Sequence, residues 1–108
     1  MSEAYTLAEK AGVPLEIVRD FYAGQLFAHP ALQHYARKLH SREFVPAGFV
    51  MSAGMKDVLL MLAAGQSNGV KLEIAEVARR KLQTAIEQGM GDMDWSAWHE
   101  VTRTDAGL

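Results

Sequence analysis

From Val58 to Ala64 every side chain is apolar: Val58-Leu59-Leu60-Met61-Leu62-Ala63-Ala64. A helix through such a run has no side suited to water, so it calls for neighbours all round. The run lies inside a longer stretch from Gly48 to Val70. Asn68-Gly69 supplies its stop, because glycine takes the left-handed conformation after a last turn at no steric cost, and Val70 can then pack back on the helix. Lys56-Asp57 is the one charged pair near its start. A lysine at the mouth of an apolar helix is either solvated at the surface or placed to meet something anionic.

The rest of the chain shows the same helical period. Ser2 to Ala11 predicts a helix with Ser2 as its cap, Glu3 in its first turn and Gly12 as its stop. Ala4, Leu7, Ala8 and Ala11 form a narrow stripe of small residues on it, which admits a close neighbour. Pro14 suits the first turn of a second helix, with Leu15, Val18, Phe21 and Tyr22 on its apolar side and Gly24 near its end. Pro30 restarts a third, where Leu32, Tyr35, Ala36 and Leu39 share a face. Phe44 to Gly48 reads as an irregular connector, since Pro46 biases Val45 away from helix. A fifth helix spans roughly Ile74 to Gln88, with Gly89 and Gly91 ending it. Asp94 is a good N-cap for a last helix from Trp95 to about Thr102. No alternating run long enough for a strand occurs. The expectation is an all-α fold, a single domain over 1–108 with about six helices.

Composition removes several classes of function. The chain has 108 residues and no cysteine, so it offers no disulfide framework, no thiol nucleophile and no cysteine metal site. A net charge of −2 presents no basic footprint to nucleic acid. The longest apolar run is far short of a membrane span, and the first residues lack the layout of a signal peptide, so a cytoplasmic protein is expected. His29, His34, His40 and His99 show no ligand spacing and are read as surface residues rather than a metal site. Arg79-Arg80-Lys81 reads as the wet side of its helix, and Trp95 and Trp98 as a clamp holding the last helix to the core.

Gly48-Phe49, six residues, then Lys56-Asp57 and an apolar helix resembles the last signature of the β-hydroxyacid dehydrogenases. That family includes the 3-hydroxyisobutyrate dehydrogenases and is related to the 6-phosphogluconate dehydrogenases. Two flanking segments agree. Glu3-Ala4, Leu7-Ala8 and Gly12-Val13 resemble the family's segment after its catalytic helix, and Met90-Gly91-Asp92-Met93-Asp94-Trp95-Ser96-Ala97 its closing Gly-rich turn. The sequence departs from the family at Ala63, often acidic there, and at Ala53, often larger.

The resemblance implies the C-terminal helical domain of an NAD(P)-dependent oxidoreductase, with the nucleotide-binding Rossmann domain and the catalytic inter-domain helix outside this sequence. It implies Phe49, Lys56 and Asp57 as residues beside the dinucleotide, no catalytic residue of this chain's own, and no metal. In such an enzyme the domain closes the cofactor and substrate cleft and joins subunits. Alone it is expected to be inactive and to hold no NAD or NADP. Its partners would be a second copy, meeting across the small-residue stripe of the first helix, or a separate Rossmann-domain chain. Lys56 has a plainer reading as the partner of Asp57 or another carboxylate of the same domain. Asp57 reads as the structural half of the motif, a first-turn carboxylate facing the positive end of the helix dipole. The rival for the whole chain is a stand-alone helical interaction module that has lost the enzyme.

Overall fold

Three helix ends are built from the same device, and they set the chain's punctuation. After the first helix the Gly12 N–H donates to Glu9 O (3.0 Å) and the Val13 N–H to Ala8 O (2.9 Å). After the fourth, Gly69 donates to Gln66 O (3.2 Å) and Val70 to Gly65 O (2.9 Å). Both glycines have positive φ, 77° and 68°, so a residue with a Cβ would be strained there. Gly107 and Leu108 repeat the pattern after the last helix.

The computed structural model describes residues 1–26 and 28–108, and among these the fold is all-α. Its α-helices are α1 (Ser2–Lys10), α2 (Leu15–Phe21), α3 (Pro30–Ser41), α4 (Met51–Ser67), α5 (Glu73–Ala85) and α6 (Trp98–Asp105). π-helical turns extend α2 over Tyr22–Leu26 and α5 over Ile86–Met90, and a 3-10 turn, Trp95–Ala97, leads into α6. Among the described residues the expected helix count and order are found. Among the described residues no helix is long and apolar enough to cross a membrane.

The chain divides into two units. The first comprises residues 1–44 and 99–108. Its interior holds Tyr5, Val18, Ala36, Leu39, Phe44 and Val101. The Tyr5 hydroxyl donates to Ala36 O (3.0 Å), and burial pushes its pKa up to about 12. His99 is also interior, 1 % exposed, edge-on to Tyr5 and 2.9 Å through Nδ1 from Ser2 Oγ. An ionic cluster closes this unit: Arg42 grips Glu100 with two bonds (2.9 and 2.6 Å), and the buried Arg103 pairs with Glu9 and Glu100.

Several expectations fail in this first unit. Ser2 does not cap α1; Met1 occupies that position and the Ser2 hydroxyl goes to His99. The small-residue stripe of α1 is not its buried face, which is Tyr5 and Thr6; Leu7 is 72 % exposed. Tyrosine contributes more apolar area than alanine, and its hydroxyl finds a carbonyl, so the helix turns to bury it. His99 is core, not surface.

The second unit comprises residues 45–98, with α4 and α5 packed side by side. Met51, Gly54, Met55, Val58 and Gly65 mark the buried face of α4. Leu82 and Ala85 are the buried residues of α5. Gly65 allows the turn between them to fold tightly, because a Cβ there would lie 2.8 Å from Leu72 Cδ1 and 2.9 Å from the Val70 carbonyl oxygen. The all-round burial expected for α4 is not found. Leu59, Leu60 and Met61 are about half exposed, and Ala63 and Ala64 are exposed too. An apolar run counts side chains rather than neighbours, and within its unit this helix has one face covered.

Candidate functional site

The start of α4 is held by the segment Gly91–Trp95. Helices leave their first N–H groups without intrahelical partners. Here Met51 N–H donates to Met93 O (2.9 Å) and Ser52 N–H to Gly91 O (3.2 Å). Those two donors are therefore spent on protein carbonyls and do not present themselves to an anion. One residue earlier, Val50 pairs with Asp94 in an isolated antiparallel bridge, and Trp95 N–H donates to Phe49 O (2.8 Å).

Phe49, 37 % exposed, stands edge-on to Trp95 with ring centroids 5.9 Å apart. Both rings rest on Gly54. A Cβ at that position would come within 3.3 Å of Trp95 and 3.4 Å of Phe49, so the glycine gives them a flat floor on the helix surface. Trp95 in turn stacks on Trp98 at 6.3 Å. Within this unit Trp95 thus packs on Phe49 and α4, rather than on the last helix as expected of it. Gly54 was not singled out from sequence; a glycine inside an otherwise helical pattern is the signal that something packs close.

Lys56 and Asp57 lie in the second turn of α4. Lys56 Nζ stands 3.5 Å from Asp57 Oδ1, and the two side chains are 70 % and 55 % exposed. An ion pair this solvated contributes about 0–1 kcal/mol. At about 100° per residue, Lys56 lies roughly 160° around the helix from Gly54 and Asp57 about 60°. The structure thus places Lys56 on the outward face and Phe49 over the Gly54 face, and it does not bring the two together. Asp57 is no first-turn cap, because the helix begins at Met51 and its leading donors are already met by Met93 and Gly91.

The outward face continues past Lys56 as Leu60, Ala63 and Ala64, so one exposed cation stands at the end of an apolar strip. Beyond it, Leu59, Leu62, Ala63, Val70 and Leu72 line a cleft of about 630 Å³ between α4 and α5, with Lys71 and the Arg79–Glu76 pair (2.8 Å) at its edge. Among the described residues no three His, Asp or Glu side chains gather as a metal ion would need.

Known proteins resemble this chain over most of its length. The family described as the NAD-binding domain of NADP-dependent 3-hydroxyisobutyrate dehydrogenase matches residues 1–102. An uncharacterized oxidoreductase of Bacillus subtilis, YfjR, is 38 % identical over 97 residues, which cover 90 % of this chain and 34 % of the relative. Glyoxylate/succinic semialdehyde reductase 1 of Arabidopsis thaliana is 28 % identical over 102 residues, covering 94 % of this chain and 35 % of that enzyme. In the crystal structure of 3-hydroxyisobutyrate dehydrogenase from Salmonella typhimurium the same fold is found, with a TM-score of 0.83, 21 % identity, and coverage of 93 % of this chain and 35 % of that one. The chain spans about a third of the length of the proteins it matches.

Proposed function

Since the chain belongs to the family of the NADP-dependent 3-hydroxyisobutyrate dehydrogenases, we propose that it is the helical domain of an NAD(P)-dependent 3-hydroxyacid dehydrogenase-like oxidoreductase. In that reading it closes the cofactor and substrate cleft and joins subunits, and it does not catalyse hydride transfer by itself. The observation that supports it best is Lys56. Its ammonium is reachable, bound only loosely to the neighbouring Asp57, and sits on the helix that carries the family's Lys-Asp signature. A compact charge on a flexible stem suits a phosphate, a carboxylate or an amide oxygen. The Phe49 ring, 37 % exposed, offers a separate apolar edge over the Gly54 face. When bound, the dinucleotide would supply the hydride chemistry; this chain would supply contact and orientation.

A second reading has its own observation. Leu59, Leu60 and Met61 are exposed, as are Val70 at 55 % and Ile74 at 87 %, which leaves apolar side chains for another protein segment to cover. That exposure also fits an interaction module without enzymatic partners, and it fits association between two copies of the chain. Hybrids separate the readings. Replacing the matched third of the Arabidopsis reductase by this chain should restore reduction of glyoxylate or succinic semialdehyde with a nicotinamide cofactor. In that hybrid Lys56→Met should raise the KM for the dinucleotide several-fold. An active hybrid indifferent to Lys56→Met would remove the site assignment, and turnover by the isolated chain would overturn the reading that it depends on a partner domain.

A further inference from the structure

Asp94 carries the observation that goes furthest. It is 1 % exposed, and its two carboxylate oxygens serve two segments of chain. Oδ1 accepts from Ser96 N–H (3.1 Å) and Ser96 Oγ–H (2.5 Å), which is the N-cap of the 3-10 turn. Oδ2 accepts from Gly48 N–H (2.9 Å) and, more weakly, Phe49 N–H (3.4 Å). The backbone beside it repeats the connection, through the Val50–Asp94 bridge and the Trp95-to-Phe49 bond. A helix cap needs one acceptor oxygen. The second oxygen does something a cap does not require: it fixes the two residues that aim the Phe49 ring at Trp95 over Gly54.

We infer that Asp94 is a positioning residue for the dinucleotide edge of this domain, acting through Phe49 by holding the Gly48-Phe49 backbone against the Trp95 turn. The inference rests on the proposed function for the meaning of that edge, and on the geometry alone for the positioning. A charged acceptor makes shorter and stronger bonds than a neutral one, so a buried carboxylate is suited to holding an otherwise irregular connector. The connector has no helix or sheet of its own to fix it; Gly48 and Phe49 precede α4 and are themselves exposed.

Asp94→Ser tests this directly. Serine keeps the N-cap oxygen but is too short, and has too few oxygens, to reach Gly48 and Phe49 as well. In NMR spectra of the isotopically labelled full chain, Asp94→Ser is expected to move the Gly48 and Phe49 amide signals upfield. It should also erase the Phe49–Trp95 ring contacts while leaving Ala97 and the residues of α6 near their original shifts. Unchanged Gly48 and Phe49 signals with an intact ring contact would reduce Asp94 to a cap and overturn the inference. Should the variant fail to fold, hydrogen exchange in the unaltered chain decides: the Gly48 amide should be protected about 100-fold or more over an open loop, and exchange at the open-loop rate would overturn the assignment. In the hybrid reductase, Asp94→Ser should raise the dinucleotide KM as Phe49→Ala does, with kcat little changed, and the double variant should be no worse than either alone. If Phe49→Ala leaves that KM unaltered while the ring contacts still depend on Asp94, the cofactor reading fails and the positioning stands.

Discussion

His99 makes the stability of this chain depend on pH. Burial in the first unit drives its pKa down from the ordinary 6.5 to about 4; the nearby Glu100 and Glu9 pull it back up, and Arg103 and Arg42 push it further down. As the pH falls through 6.5 the unfolded chain takes up a proton that the folded chain refuses until about 4. The unfolded state therefore binds more protons across that window, and stability rises with pH through it. The full gap is worth about 3 kcal/mol, of which about 2 kcal/mol is lost between pH 7 and pH 5. Because His99 is only 1 % exposed, solvent screening does little to reduce the figure. Against a total stability of order 5–15 kcal/mol, such a loss is readily measured. Urea melts at pH 7 and pH 5 on the chain and on His99→Gln give the comparison. Subtracting the two pH differences removes what the other titrating groups contribute, and about 2 kcal/mol should remain. Equal pH differences in the two proteins would refute the assignment of the dependence to His99.

Other outcomes follow from packing and exposure. Gly65→Ala gains about 1 kcal/mol of helix propensity, but its methyl group would meet the Val70 carbonyl oxygen at 2.9 Å and Leu72 still closer. Overpacking of this kind costs about 1–3 kcal/mol, so the variant should be less stable by denaturant melt, and a raised midpoint would show that the turn yields. Lys56→Met and Asp57→Ala should each change stability by no more than about 0.5 kcal/mol, since both side chains are more than half exposed; a larger loss in parallel melts would point to a structural partner for either one. With Leu60 and Met61 61 % and 55 % exposed, light scattering at tens of micromolar should show species larger than a monomer, reduced by Leu60→Lys. A monomer throughout would count against self-association.

The parts of this molecule that could be read from sequence are those governed by neighbours along the chain. Glycines after α1 and α4, prolines at the starts of α2 and α3, and Asp94 before the 3-10 turn act within one helical turn, so their effects follow from local chemistry. The reading fails where a residue has two candidate partners and the nearer one in sequence loses. Ser2 could cap its own helix, yet its hydroxyl meets His99, 97 positions away. Asp57 could face the helix dipole, yet the donors at that helix start belong to Met93 and Gly91 carbonyls. Asp94 shows both behaviours in one side chain, with one oxygen on its sequence neighbour and the other on a segment 46 residues earlier. Period alone also misjudges α1 and α4. In α1 the stripe of small residues satisfies helical spacing, but Tyr5 offers more area and a hydroxyl with an acceptor, and it takes the interior. In α4 the apolar run shows what the helix would bury if enough protein surrounded it. Within the second unit that cover is missing over Leu60, Ala63 and Ala64, which share the outward face with Lys56.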